Sequence, residues 1–258
     1  MLDNIIKSPL FRFLAYAVVC LVLLFLILRL ATQTFPPLPD IAAYESATAR
    51  KNAFFNYLKP IIEFQNLRIL SSRARLQRIH EELLAGESIT WTDERWLYNL
   101  ADEYGIDGNV HSQKDLTAEL ILRVDVVPVS LALIQAAKES GWGRSRYAEE
   151  GNNLFGQWCY LPGCGIVPTQ RSEGATHEVR SFDTVSDAVF AYMRNLNTHQ
   201  SYGALRAQRA DIRAAGRIAR GAELAESLIF YSERREAYVE EVKAMIRQYL
   251  SAQSQQRD

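Results

Sequence analysis

PVSLALIQAAKESGWGRSRYAEEGNNLFGQW, residues 128–158, is the stretch whose reading decides the fold. Its first part has the recurrence of a core helix, with Leu131, Leu133, Ile134, Ala136 and Ala137 as the apolar positions. Pro128 suits the first turn, where a missing N–H costs nothing. Gly141 and Gly143 end the helix, because glycine readily takes the left-handed geometry of a helix terminus. At the end of the almost wholly apolar face stands one carboxylate, Glu139. A carboxyl held against core keeps its proton towards neutrality, which is what a general acid requires. A surface glutamate on a last helical turn is the plain alternative. The cluster that follows, ESGWG and then NNLFG, tips the reading towards a site.

Those residues also carry a resemblance. Together with VRSFDTVSDAVFAYM (179–193) and YSERREAYVEEV (231–242), the stretch resembles the endo-β-N-acetylglucosaminidases of glycoside hydrolase family 73. The upstream region resembles the bacterial Bax-type members of that group. The resemblance covers about residues 120–250. It implies cleavage of the glycan strand of peptidoglycan at N-acetylglucosamine linkages, independent of amidase action and without a cofactor. It also implies that Tyr202 and Tyr231 match family tyrosines near the acid.

The pattern and the resemblance together give an α+β, mainly α fold. It would be a lysozyme-like helical body with a small β lobe, preceded by an N-terminal transmembrane helix and a long helical region. After Gly151 the chain is rich in glycine, proline and short β-branched runs, as a small hairpin lobe would be.

Glycoside hydrolysis generally asks for a second carboxylate across the groove, about 5 to 9.5 Å from the acid. Glu173 and Glu178 are the candidates. Family members place a less tightly fixed glutamate in this lobe. Glu173 is preferred because Gly174 places it at a mobile tip, while Glu178 enters the strand VRSF as the alternative. Trp142, Phe155, Trp158 and Tyr160 offer aromatic faces for sugar rings, each with an ordinary core role as its rival. Asn153 is a candidate for an N-acetyl group or for capping a turn.

Cys159 and Cys164, close across a Pro-Gly turn, are expected to form a disulfide in an oxidising compartment. A zinc site lacks the rest of its ligands, since no HExxH or second cysteine pair is present, so no metal is expected.

Upstream, FLAYAVVCLVLLFLIL (13–28) is apolar throughout and bracketed by Arg12 and Arg29. With its flanks it reaches about 20 residues, enough for one membrane span. No A-x-A-like cleavage site follows, so an uncleaved anchor is expected, with the catalytic domain on the periplasmic or wall side. The expected organisation is an anchor at 1–33, a proline-rich spacer at 34–40, a helical scaffold at 41–119, the catalytic domain at 120–250 and a frayed tail at 251–258. The scaffold reading has Pro60 as its only break, Leu67, Leu70 and Leu84 on the apolar stripe, and Arg73 and Arg75 on a solvated face. A second helix is expected from near Thr92, and one helical run at 204–250.

A formal net charge of −1 and the absence of a basic run interleaved with aromatics exclude nucleic acid as a partner class. Peptidoglycan strands and the membrane are the expected partners. A muramidase or lytic transglycosylase, or a wall-binding protein without activity, are the rival functions.

Overall fold

The computed structural model describes residues 16, 18, 34–107, 112–169, 171, 174–231 and 234–255. Apart from Tyr16 and Val18, the expected anchor at 13–28 lies outside them. So does Glu173. Among the described residues no helix is long and apolar enough to cross a membrane.

Residues 37–258 form one compact unit. Its longest element, α1 (Ala47–Leu84), starts where the Ser46 side chain accepts the Ala49 amide. Phe54, Leu58, Ile61, Ile62, Ile69, Leu76 and Ile79 are buried along one side, at the three- and four-residue steps that keep a helix face in register. Pro60 does not break it. The carbonyl that loses its bond to the missing Pro60 N–H belongs to Asn56, and both residues are exposed to water, which can replace that bond. The expected stripe is corrected at its edges. Leu67, Leu70 and Leu84 are exposed, whereas Arg73 is buried.

Next come α2 (Trp91–Glu103), α3 (Gln113–Arg123) and α4 (Val129–Glu139). The cap of α2 is Thr90 rather than Thr92, because the Thr90 hydroxyl accepts the Asp93 amide. α1 packs against both α3 and α4, so the upstream helices are part of the body that carries the core helix.

The link between α3 and α4 is pinned by arginines. Arg73 of α1 donates to the carbonyls of Ile121 and Val124. Arg209 donates to those of Asp125 and Val126, and the Asp125 carboxylate faces Arg73, Arg209 and Arg213.

After a short helix, α5 (Arg146–Gly151), the β lobe is a three-stranded antiparallel sheet. Its strands are β1 (Trp158–Cys159), β2 (Gly165–Ile166) and β3 (Glu178–Arg180), in the order β1-β3-β2. Gly165 is obligatory there, since a Cβ would sit 2.0 Å from the Val179 carbonyl oxygen. The disulfide between Cys159 and Cys164 closes the turn between β1 and β2.

α6 (Val185–Thr198) begins with a reciprocal capping box between Thr184 and Asp187. The expected single run at 204–250 is instead α7 (Gly203–Ala214), α8 (Gly221–Leu224) and α9 (Arg235–Gln255). Gly216, at φ +69°, turns the chain after α7. The tail expected to fray from 251 is helical through Gln255. The fold is thus mainly helical α+β with one small sheet.

Candidate active site

Glu139 is the last residue of α4, and Gln135 lies one turn before it on the same side. The helix stops because Gly141, Trp142 and Gly143 all take positive φ, at 58°, 64° and 78°. Ser140 secures the stop, donating its hydroxyl to the Ala136 carbonyl and accepting the Gly143 amide.

Around the Glu139 carboxyl are four tyrosines, Tyr192, Tyr202, Tyr231 and Tyr238, each of which feels its charge, and Tyr238 hydrogen-bonds it. They come from α6, the turn after it, the segment before α9, and α9 itself. Glu139 remains accessible to solvent. The protein packed around its carboxyl nevertheless raises its pKa. A hydrogen bond from Tyr238 and the charge of Lys138 oppose that rise without reversing it. All four phenols are themselves pushed up by burial, Tyr202 to about 12, so they act as neutral donors.

The hydrogen bonds have a direction. Tyr192 donates its hydroxyl to Gln135 Oε1 at 2.5 Å, and Gln135 Nε2 donates to the Tyr238 oxygen at 2.9 Å. With its oxygen already accepting, Tyr238 turns its own proton to the Glu139 carboxylate. Gln135 is fully buried and has both ends of its amide engaged by the two tyrosine hydroxyls. Because that bond favours the ionised form of Glu139, Tyr238→Phe should move the alkaline limb of the activity–pH profile upward. Ionisation is the step that removes the acid, so activity falls as pH rises through the Glu139 pKa. A pH profile of initial rates at saturating substrate checks this, and a downward shift would contradict it.

A second tie holds the aromatic ring together. Glu241 of α9 accepts from Lys138 of α4 and from Arg234, bracketing the segment that carries Tyr231. The Tyr231 hydroxyl reaches the Phe155 carbonyl at 3.2 Å, and the Tyr231 ring stacks on Tyr238.

Other residues expected at the site are distributed as follows. Phe155 is buried, with its ring stacked on Tyr192 at 3.9 Å between centroids. Asn153 is buried and uses its whole amide on backbone. It donates to the carbonyls of Gln157 and Arg180 and accepts from the amides of Phe155 and Gln157. Trp142 packs edge-on to Phe54 and Phe55 of α1 and lines a different cavity, of about 480 Å³, with Ile134, Met245 and Tyr249.

Trp158 is 56% exposed and stacks on His177. It lines a groove of about 460 Å³ between the β lobe and α6, together with Gln157, Phe190 and Asn195. Asn195 also hydrogen-bonds the Tyr202 hydroxyl, which connects this groove to the tyrosines around Glu139. Tyr160 is exposed on the disulfide loop.

Glu178, the alternative second carboxylate, has both oxygens occupied. Oε1 accepts the Gly163 amide at 3.0 Å and Oε2 the Gly165 amide at 2.8 Å, and these bonds lower its pKa. It orders the turn that the disulfide closes. Cys159, Cys164 and Glu178 bring metal-binding atom types together, but both sulfurs are spent in the disulfide.

Sequence reading missed Gln135, Tyr192, Asn195 and Tyr238. For Gln135 a signal existed: an amide in an otherwise apolar run, four residues before Glu139.

A family profile described as glucosaminidase, mannosyl-glycoprotein endo-beta-N-acetylglucosaminidase, matches residues 115–251. Protein bax of Escherichia coli (strain K12) is 33% identical over 201 residues, covering 78% of this chain and 70% of the relative. No solved structure matches.

Proposed function

The chain belongs to the glucosaminidase family, and from that membership we propose that it is an endo-β-N-acetylglucosaminidase acting on the glycan strand of peptidoglycan. The observation that carries the reading is Glu139. It is a reachable carboxyl whose pKa is raised by its surroundings, at the end of a buried helix and beneath a ring of neutral phenols. Glu139 would give its proton to the leaving glycosidic oxygen as the bond to the anomeric carbon breaks. Tyr238 would hold the carboxylate left behind until water returns a proton. Glu173 is our choice for positioning water or stabilising the cationic transition state, because both oxygens of Glu178 are already bonded. The substrate's own acetamido group is the alternative for that role.

The disulfide supports an oxidising compartment as the place of action. The apolar run at 13–28 supports a single-pass anchor that holds the body against the wall.

Product analysis tests the proposal. Digestion of purified sacculi should release fragments whose new reducing ends are N-acetylglucosamine, read by mass spectrometry after borohydride reduction. N-acetylmuramic acid at the new end would assign a muramidase, and an anhydro sugar a lytic transglycosylase. Binding to sacculi with no product would leave a wall-binding protein.

A further inference from the structure

The groove that Asn195 connects to Tyr202 offers more than the aromatic face of Trp158. One wall is a single face of α6, running from Asp187 through Arg194 to Thr198. Those positions span about 16 Å at 1.5 Å of rise per residue. The opposite wall comes from the β lobe, with Trp158 on β1 and Arg180 on β3. Arg180 and Arg194 are both exposed, and among the described residues neither forms an ion pair. The Arg180 guanidinium lies over the Phe182 ring, 4.9 Å from its centroid, which limits its swing. The acidic residue in the groove, Asp187, is committed to the helix start, where it accepts from the Thr184 amide and hydroxyl. Two cations on separate elements therefore face an open groove whose carboxylate is already engaged.

We propose that this groove binds the peptide stem borne by the glycan strand, with Arg180 and Arg194 holding carboxylates of the stem while Trp158 packs against the adjoining sugar. The proposal rests on peptidoglycan being the substrate. Guanidinium groups present paired donors that match the two oxygens of a carboxylate. A stem peptide carries several carboxylates spread along its length. A strand stripped of its stems offers one lactyl carboxylate on each muramic sugar. Cations separated across the groove, one on β3 and one on α6, fit the spread arrangement. Asn195 links the groove to Tyr202, so a stem held here would help to place its strand over Glu139.

The test uses the purified full-length chain and the variants Arg180→Gln, Arg194→Gln and both together. Three soluble substrates are compared: stem-bearing strands, the same strands after amidase treatment, and chitooligosaccharide. In the double variant kcat/KM on stem-bearing strands should fall about tenfold or more, mainly through KM, since each lost bond to a charged group is worth about a factor of ten. Rates on the other two should stay within about twofold. Equal losses on all three substrates would overturn the proposal, and a greater loss on amidase-treated strands would reassign the arginines to the lactyl group. Calorimetric titration with the isolated stem peptide keeps the two readings apart. If the chain cleaves none of the substrates, the glycosidase reading fails. Saturable binding of the peptide, weakened by the double substitution, would then still uphold the groove assignment, and no binding would sink it.

Discussion

Replacing Glu139 with glutamine should cut glycan cleavage by orders of magnitude while leaving the protein folded. The amide has the shape of the carboxyl and its oxygen can still accept from Tyr238, but its N–H protons are far too weakly acidic to be given to a leaving oxygen. General acid catalysis contributes about 10² to 10⁴-fold, so a loss of that size is expected in kcat, with little change in affinity for sacculi. Stability should move the other way. The folded-state pKa of Glu139 lies above its ordinary value of 4.5. The folded form therefore holds this proton more tightly than the unfolded chain does. Stability from the proton is fully present below about 4.5 and is lost as pH rises through the raised folded value. Glu139→Gln has no such loss, so its melting temperature relative to the natural chain should rise between pH 4 and pH 8. Rates on sacculi and melts at both pH values check the two halves. A glutamine variant that digests at the natural rate would remove Glu139 as the acid.

Glu139 was legible in the sequence as the candidate acid because its signal is local. A helix period that ends in a carboxylate and two glycines needs nothing from the rest of the chain to be recognised. What surrounds the acid was less legible. Tyr192 and Tyr238 meet it from helices well removed in sequence, and their stretches read as ordinary amphipathic patterns. Trp142 shows the opposite failure. Its place beside Gly141 and Gly143 marks it for the groove, yet its positive φ turns the ring onto Phe54 and Phe55 instead. Asn153, read as a group for an N-acetyl or as a turn cap, and Glu178, the alternative second carboxylate, both spend their polar atoms on the backbone of the β lobe. Polar residues in a lobe with only three short strands have to satisfy many backbone groups that the ladder leaves over. The helices were legible as helices, but the run after Gly203 was read through Gly216 and Gly221, where the chain turns.

The least legible feature carries the second large effect, at Asp125. Its carboxylate is 2% exposed and faces Arg73, Arg209 and Arg213. In sequence the arginines read as solvated faces of helices, because their bonds to the 121–126 segment and to the Asp125 carboxylate join residues 48 to 88 positions apart. Burial lowers the pKa of Arg209 to about 10 and that of Arg73 as well, while Asp125 opposes the fall in both. Asp125→Asn keeps the shape but leaves Arg73 and Arg209 as buried cations without a counter-charge. Breaking a buried pair in this way costs about 3 to 5 kcal/mol. For a unit of this size that is a fall of roughly 6 to 20 °C in melting temperature. Glu82→Gln, which removes one of the two carboxylate partners of Arg78 on the exposed side of α1, should cost under about 1 kcal/mol. The pinned segment leads directly into α4 and so sets where Glu139 emerges. Below its lowered melting point Asp125→Asn should keep its pH profile, because none of its three arginines acts electrostatically on the Glu139 carboxyl. Thermal melts of the two variants beside the natural chain decide the matter. An Asp125→Asn melt within a degree or two of the natural one would mean that the arginines are neutralised in some other way.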